Sequence, residues 1–172
     1  MRRAALALLT VGSLSCGYAL AGRGTAVDPS IKRIGVPLFR DATGKAGLDQ
    51  KITQKVIEEL LKRGRFDVIP QATDVDAVVE GELLSYRSQA AGLTGDSSQN
   101  TQASRYLVVL TARVKYTKTG STEAIWTNDS FSVQDAWDVG DASSFFDREE
   151  QAIDRLAGLF ARNLVAAMME AF

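Results

Sequence analysis

The sequence contains no histidine, which removes the Ser/His/Asp triad, the Cys/His dyad and every His-ligated metal site from this chain. It has one cysteine, Cys16, so it can form neither an internal disulfide nor a CxxC metal or redox pair. Positive charge is not in excess. The formal balance is −1, and it falls to −3 without Arg2 and Arg3. Nonspecific nucleic-acid binding draws on many Lys and Arg contacts to phosphate, so no nucleic-acid partner is expected. What remains is an ordinary globular composition. With 45% hydrophobic and 24% charged residues in 172, the chain can bury the core of one domain.

The lone cysteine sits in an informative place. Met1, Arg2 and Arg3 make a positive start, and residues 4–11 (AALALLTV) form a short apolar run. That run is too short for a transmembrane helix, which needs about 20 apolar residues, and it reads as a secretory signal. Gly12 to Ser15 follow, with polar Ser13 and Ser15, and then Cys16, so that the small residue Ser15 stands directly before it. This is where lipoproteins are cleaved and acylated, although Leu14 and Ser13 depart from the usual order of residues there. Two other readings stay open: cleavage after Ala19-Leu20-Ala21, or a buried structural Cys16. The expected organisation is a signal peptide over 1–15, a lipidated tether over 16–30 and a single domain over 31–172.

Hydrophobic periodicity then gives the elements. Residues 31–39 (IKRIGVPLF) are β-rich, with Pro37 best placed at an edge or strand end. Residues 40–47 read as a loop. The stripe of Leu48, Ile52, Val56 and Leu60, widened by Ile57 and Leu61, predicts a helix over 48–63 capped by Gly64. Residues 66–69 form a short strand, and 77–86 (AVVEGELLSY) a longer one. Its alternation puts Glu80, Glu82 and Tyr86 on one face and Val79, Gly81 and Leu83 on the other, with Gly81 marking a bulge or a close approach. The polar stretch 87–104 reads as a long flexible loop. Residues 105–116 (RYLVVLTARVKY) are the clearest strand, and 123–133 returns antiparallel after a turn at 118–121. A long helix is expected over 144–172, capped by Ser144 and Asp147 and striped by Phe145, Ala152, Ile153, Leu156, Phe160, Leu164 and Met168. The fold class is α/β, an α+β sandwich: a small mixed or antiparallel sheet with two helices on one face.

Few residues suggest chemistry. Gly22-Arg23-Gly24 follows no strand and opens no helix, so it is no phosphate loop. Asn128-Asp129-Ser130 reads as strand surface, and the acids of 147–150 oppose a helix dipole. Glu80 and Glu82 share a strand face, where a solvated face or cross-strand pairing with Lys or Arg accounts for them better than acid–base work. Arg87, Arg105, Arg113, Lys115 and Lys118 gather around one face and one end of the central strands. They are either a solvated charged face or a patch for an anionic lipid head group. Trp126 and Trp137 are core residues by default and partner contacts as the alternative. No catalytic residue, metal site or cofactor is expected, and the protein is not expected to be an enzyme.

Several segments in order resemble the LPS-assembly lipoprotein LptE family. They are CGYALAG at 16–22, IKRIGVPLF at 31–39, EELLKRGRF at 58–66, DAVVEGE at 76–82, AIWTN at 124–128, FFD at 145–147 and AIDRLA at 152–157. The resemblance spans nearly the whole chain after the signal. It implies a lipid-anchored protein on the periplasmic face of the outer membrane. Such a protein plugs and helps assemble the LptD β-barrel, and it binds lipopolysaccharide during delivery to the cell surface. It also implies helices packed on a small sheet. The alternative expectation is an outer-membrane lipoprotein that regulates a peptidoglycan synthase or another envelope partner.

Overall fold

A computed structural model describes residues 28–94, 102–138 and 145–170. The element order is β1 (Arg33–Gly35), β2 (Arg40–Asp41), α1 (Leu48–Lys62), β3 (Asp67–Ile69), β4 (Ala77–Thr94), β5 (Gln102–Lys118), β6 (Ala124–Asp138) and α2 (Phe145–Glu170). The strands form one mixed sheet in the order β3-β1-β4-β5-β6, and β2 pairs with β4 off that path. β1 runs parallel to β3 and β4, with α1 making the crossover, while β4, β5 and β6 form an antiparallel meander. Both helices pack on one face, as expected.

The core follows from period matching. β5 buries Val108, Leu110, Ala112, Val114 and Tyr116 completely, whereas the alternate residues Arg113 and Lys115 are exposed. Against that inner face lie Leu48, Ile52, Val56 and Leu60 of α1 and Ala152, Leu156, Phe160, Leu164 and Met168 of α2, spaced at helical intervals. Phe160 is the aromatic centre. Its ring meets Phe131 edge-on at 5.2 Å and Phe39 at 6.5 Å. Gly64 ends α1 with φ +65° and donates its N–H to the Leu61 carbonyl at 2.9 Å, as the cap reading requires.

The first strand is shorter than its composition suggests. The Val36 N–H still bonds to the Ile69 carbonyl at 2.8 Å. Pro37 then has no amide to donate, and the ladder stops. Residues 36–39 cross to β2, which lies in what reads from sequence as a loop. The crossing is fixed by Phe39, 1% exposed, whose N–H donates to the buried Thr53 hydroxyl at 3.0 Å. Thr53 in turn donates to the Asp49 carbonyl at 2.7 Å.

The larger correction concerns 87–104. Of its described residues, 87–94 and 102–104 are strand and not loop: β4 continues to Thr94 and β5 begins at Gln102, and the two are paired from Arg87 with Val109 out to Thr94 with Gln102. This β4–β5 arm runs past the helices, and residues 87–91 are exposed on both faces. With no core to contact, these side chains carry no alternating apolar signal, while backbone pairing still holds the strand. Likewise β6 reaches Asp138, five residues beyond the expected end at Val133.

Tyr86 is also on the other face from Glu80 and Glu82. The register shifts between Leu83, paired with Ala112, and Ser85, paired with Thr111. The extra residue, Leu84, reverses the alternation, so Tyr86 sits opposite the buried Leu110 and turns toward the helices. There its hydroxyl donates to Glu149 at 3.3 Å, and Lys45 forms an ion pair with Glu149 at 2.9 Å. Burial and the Glu149 carboxylate raise the Tyr86 hydroxyl pKa well above its usual range. The expected helix cap at Ser144 lies outside the described residues, as do Cys16 and the signal peptide.

Candidate functional site

The helices cover only one face of the sheet, and no described element covers the other. The charged residues singled out from sequence divide between the two faces. Arg113 and Lys115 project from the open face of β5, opposite Glu82 and Glu80 of β4. Arg87 lies further along β4, beside Val109. Lys118 pairs in register with the buried Ala77 and therefore belongs to the helix side, where it is held by Asp28 at 2.6 Å and Ser30 at 2.9 Å. Arg113, Lys115 and Lys118 consequently do not form one stripe.

Ion pairing further separates the cations. Arg113 bridges two carboxylates, Glu82 at 2.8 Å and Asp129 at 3.3 Å. Arg105 faces Asp138 at 3.4 Å. Among the described residues, Arg87 and Lys115 have no carboxylate within ion-pair distance. Both can meet an anion without first giving up an internal partner. The cross-strand pairing expected for the glutamates is thus present at Glu82.

A recess of about 500 Å³ opens on the same face. It is lined by Pro37, Leu38, Arg40, Glu80, Gly81, Glu82, Arg113 and Lys115. Leu38 is 56% exposed and gives the recess an apolar rim. Arg40 adds a cation that sequence reasoning left in a loop. Its signal was available in Pro37, which forces the chain off β1 and sends the following residues across the sheet. The recess therefore combines three cations with two carboxylates and an apolar edge, chemistry suited to binding an anionic, partly apolar ligand. Among the described residues, no group of His, Cys, Asp or Glu is arranged to hold a metal ion.

The tryptophans are also separated. Trp137 is 4% exposed and stacks on Tyr106 at 5.3 Å between ring centroids, on the helix side of the sheet. Trp126 is half-buried and meets Phe131 edge-on at 6.3 Å. Of the two, only Trp126 offers surface to a partner. No described helix is long and apolar enough to cross a membrane.

Comparison with known proteins places this fold. Protein XCC0632 from Xanthomonas campestris is similar in structure, with TM-score 0.54 and 11% sequence identity over 85% of this chain and 93% of that one. Protein CT253 from Chlamydia trachomatis is similar with TM-score 0.51 and 11% identity, over 81% and 96% respectively. At such identity the likeness is one of fold. No curated protein matches the chain by sequence. The family model for LptE, described as lipopolysaccharide-assembly, matches residues 31–168, the whole sheet and nearly all of α2. The chain belongs to the LptE lipopolysaccharide-assembly family.

Proposed function

We propose that this protein is an outer-membrane lipoprotein, acylated at Cys16 on the periplasmic face. In this reading it seats in an LptD-like β-barrel, assists that barrel's assembly, and contacts lipopolysaccharide during delivery to the cell surface. Family membership supports the assembly role, in a family of non-enzymatic proteins. The observation that carries the ligand contact is the open sheet face, where Arg87 and Lys115 have no carboxylate partner among the described residues. Lipopolysaccharide carries clustered phosphates and acyl chains. The recess beside Lys115 offers cations for the first and Leu38 for the second. Arg105, Arg113 and Lys118 act more weakly, because each must first leave an acid. The half-buried Trp126 is the aromatic contact offered to the barrel.

The test is capture of an LptD-like barrel and of labelled lipopolysaccharide by the full chain. The double variant Arg87→Glu/Lys115→Glu is expected to lose about tenfold or more in lipopolysaccharide capture while still capturing the barrel, since each charge-assisted contact contributes about 1.5–3 kcal/mol. Arg113→Ala is expected to lose less. Unchanged capture by the double variant rejects the two cations. Failure of the wild type to capture a barrel rejects the plug reading.

A further inference from the structure

The open face of the sheet carries its charges in rows set by strand register. In one row Arg40 of β2, Glu82 of β4 and Arg113 of β5 lie side by side. Glu82 holds Arg113 at 2.8 Å, and Arg113 in turn holds Asp129 of β6 at 3.3 Å, so the signs alternate across four strands. In the next row, two residues along β4, Glu80 stands directly opposite Lys115. Side chains so placed have Cβ atoms about 4.5–5.5 Å apart and are suited to cross-strand pairing. These two do not pair. Among the described residues neither Glu80 nor Lys115 makes an ion pair or a side-chain hydrogen bond, and the same holds for Arg40.

All three line the recess of about 500 Å³, together with Pro37 and Leu38. Arg40 and Lys115 stand on opposite sides of β4, two strand spacings or about 10 Å apart across the sheet, and Glu80 lies on the strand between them. The floor is firm, because the Phe39 ring packs on bare backbone at Gly81, between the two glutamates. A group that enters therefore meets two unpaired cations and one unpaired carboxylate. A plain phosphate gains Arg40 and Lys115 but is brought against Glu80, a like charge. A plain cation gains Glu80 but is brought against Arg40 and Lys115. A group with a phosphate and a primary ammonium a few bonds apart satisfies all three at once. Its ammonium donates to the carboxylate, and its phosphate oxygens accept from the two cations.

We infer that the recess binds a phosphate ester that carries a primary ammonium, as in a phosphoethanolamine group. Glu80 receives the ammonium, Arg40 and Lys115 receive the phosphate, and Leu38 at the rim meets the apolar part of the ligand. The inference deepens the ligand reading proposed above, since Glu80 makes the site selective among lipid phosphates. It rests on that reading only in taking the ligand to be a lipid. The same group can be borne by lipopolysaccharide or by a phospholipid.

The experiment uses the full chain in a maltoside detergent, which carries no phosphate, and follows the amides of 38–40, 80–82 and 113–115 by NMR. The probes are glycerophosphoethanolamine and glycerophosphoglycerol, which share a phosphodiester and differ in the ammonium. The wild type should bind the first more tightly by about two- to fivefold, the range for an exposed charge pair. Glu80→Gln should abolish that preference, weakening the first probe and binding the second as well or better. Lys115→Gln should weaken both. Glu123→Gln, at an exposed carboxylate outside the recess, should change neither. Equal binding of the two probes by the wild type, or a preference that survives Glu80→Gln, overturns the assignment. Displacement of glycerophosphoethanolamine by lipopolysaccharide bearing that substituent, or by phosphatidylethanolamine in the same detergent, supports the site and names the lipid that carries the group. Displacement by neither overturns it as a lipid site. A wild type that keeps its Glu80-dependent preference but captures neither lipopolysaccharide nor a barrel leaves this inference standing and rejects only the function proposed above.

Discussion

The ring of Phe39 occupies the space where a side chain at Gly81 would stand. A Cβ built on Gly81 would lie 2.2 Å from both Cδ2 and Cε2 of that ring. Phe39 is thus seated on bare β4 backbone, and the crossing from β1 to β2 depends on a missing methyl group in another strand. Gly81→Ala is expected to push the ring out of its site and to cost about 1–3 kcal/mol, the usual penalty for overpacking. Denaturant unfolding measures it, and a loss below about 0.5 kcal/mol would mean that the ring moves freely.

Leu156 tests the core between the helix and the meander. It is fully buried on α2, in the same apolar cluster as Leu110 and Val114. Leu156→Ala should cost about 2–5 kcal/mol through lost contacts and the cavity left behind. A change under about 1 kcal/mol in chemical denaturation would show that this stripe is not core.

The contact between Asp28 and Lys118 has a pH signature. Hydrogen bonds from Lys118 and Ser30 hold the Asp28 carboxyl pKa far below its ordinary value of 3.8. The folded pKa lies below the unfolded one, so the contribution to stability is present above about pH 4 and is lost as pH falls through the depressed folded value. Carboxyl titration followed by NMR should show Asp28 still ionised where free aspartate is half protonated. In Lys118→Ala its midpoint should rise toward the ordinary value. An ordinary midpoint in the wild type would mean that the contact does not persist in solution.

The arm makes a distinct forecast for hydrogen exchange. Residues 87–90 pair with β5 on one side and have no strand on the other among the described residues. Their amides should alternate between slow and fast exchange as they point toward β5 or away from it, with lower protection than in 79–83. Uniformly fast exchange across 87–90 would restore the loop reading.

Part of the fold is legible in the sequence. The helix stripes of Leu48 and Leu156, the alternation of β5 and the cap at Gly64 all arise from contacts local in sequence, and their periodicity carries them. Residues 87–91 are illegible as strand because their side chains are all exposed and leave no period behind. The face of Tyr86 was misread because one unpaired residue, Leu84, reverses everything after it. The candidate site was half legible. Arg87 and Lys115 stood out as exposed cations, but Arg40 and Leu38 join Lys115 only through the crossing that Phe39 and Gly81 set.

Sequence by itself determined the absence of histidine chemistry, the position of the only cysteine, the two amphipathic helices and the strongest strands, because these depend on composition and on spacing along one chain. Tertiary structure alone decided which cations share a face and which are already paired. Lys115 and Lys118 are three residues apart in sequence, yet one faces solvent and the other is bound to Asp28 across the sheet. Alternation along β5 separates their faces, but the register and a partner 90 residues away set the pairing of Lys118, and neither of these is a property of the local sequence.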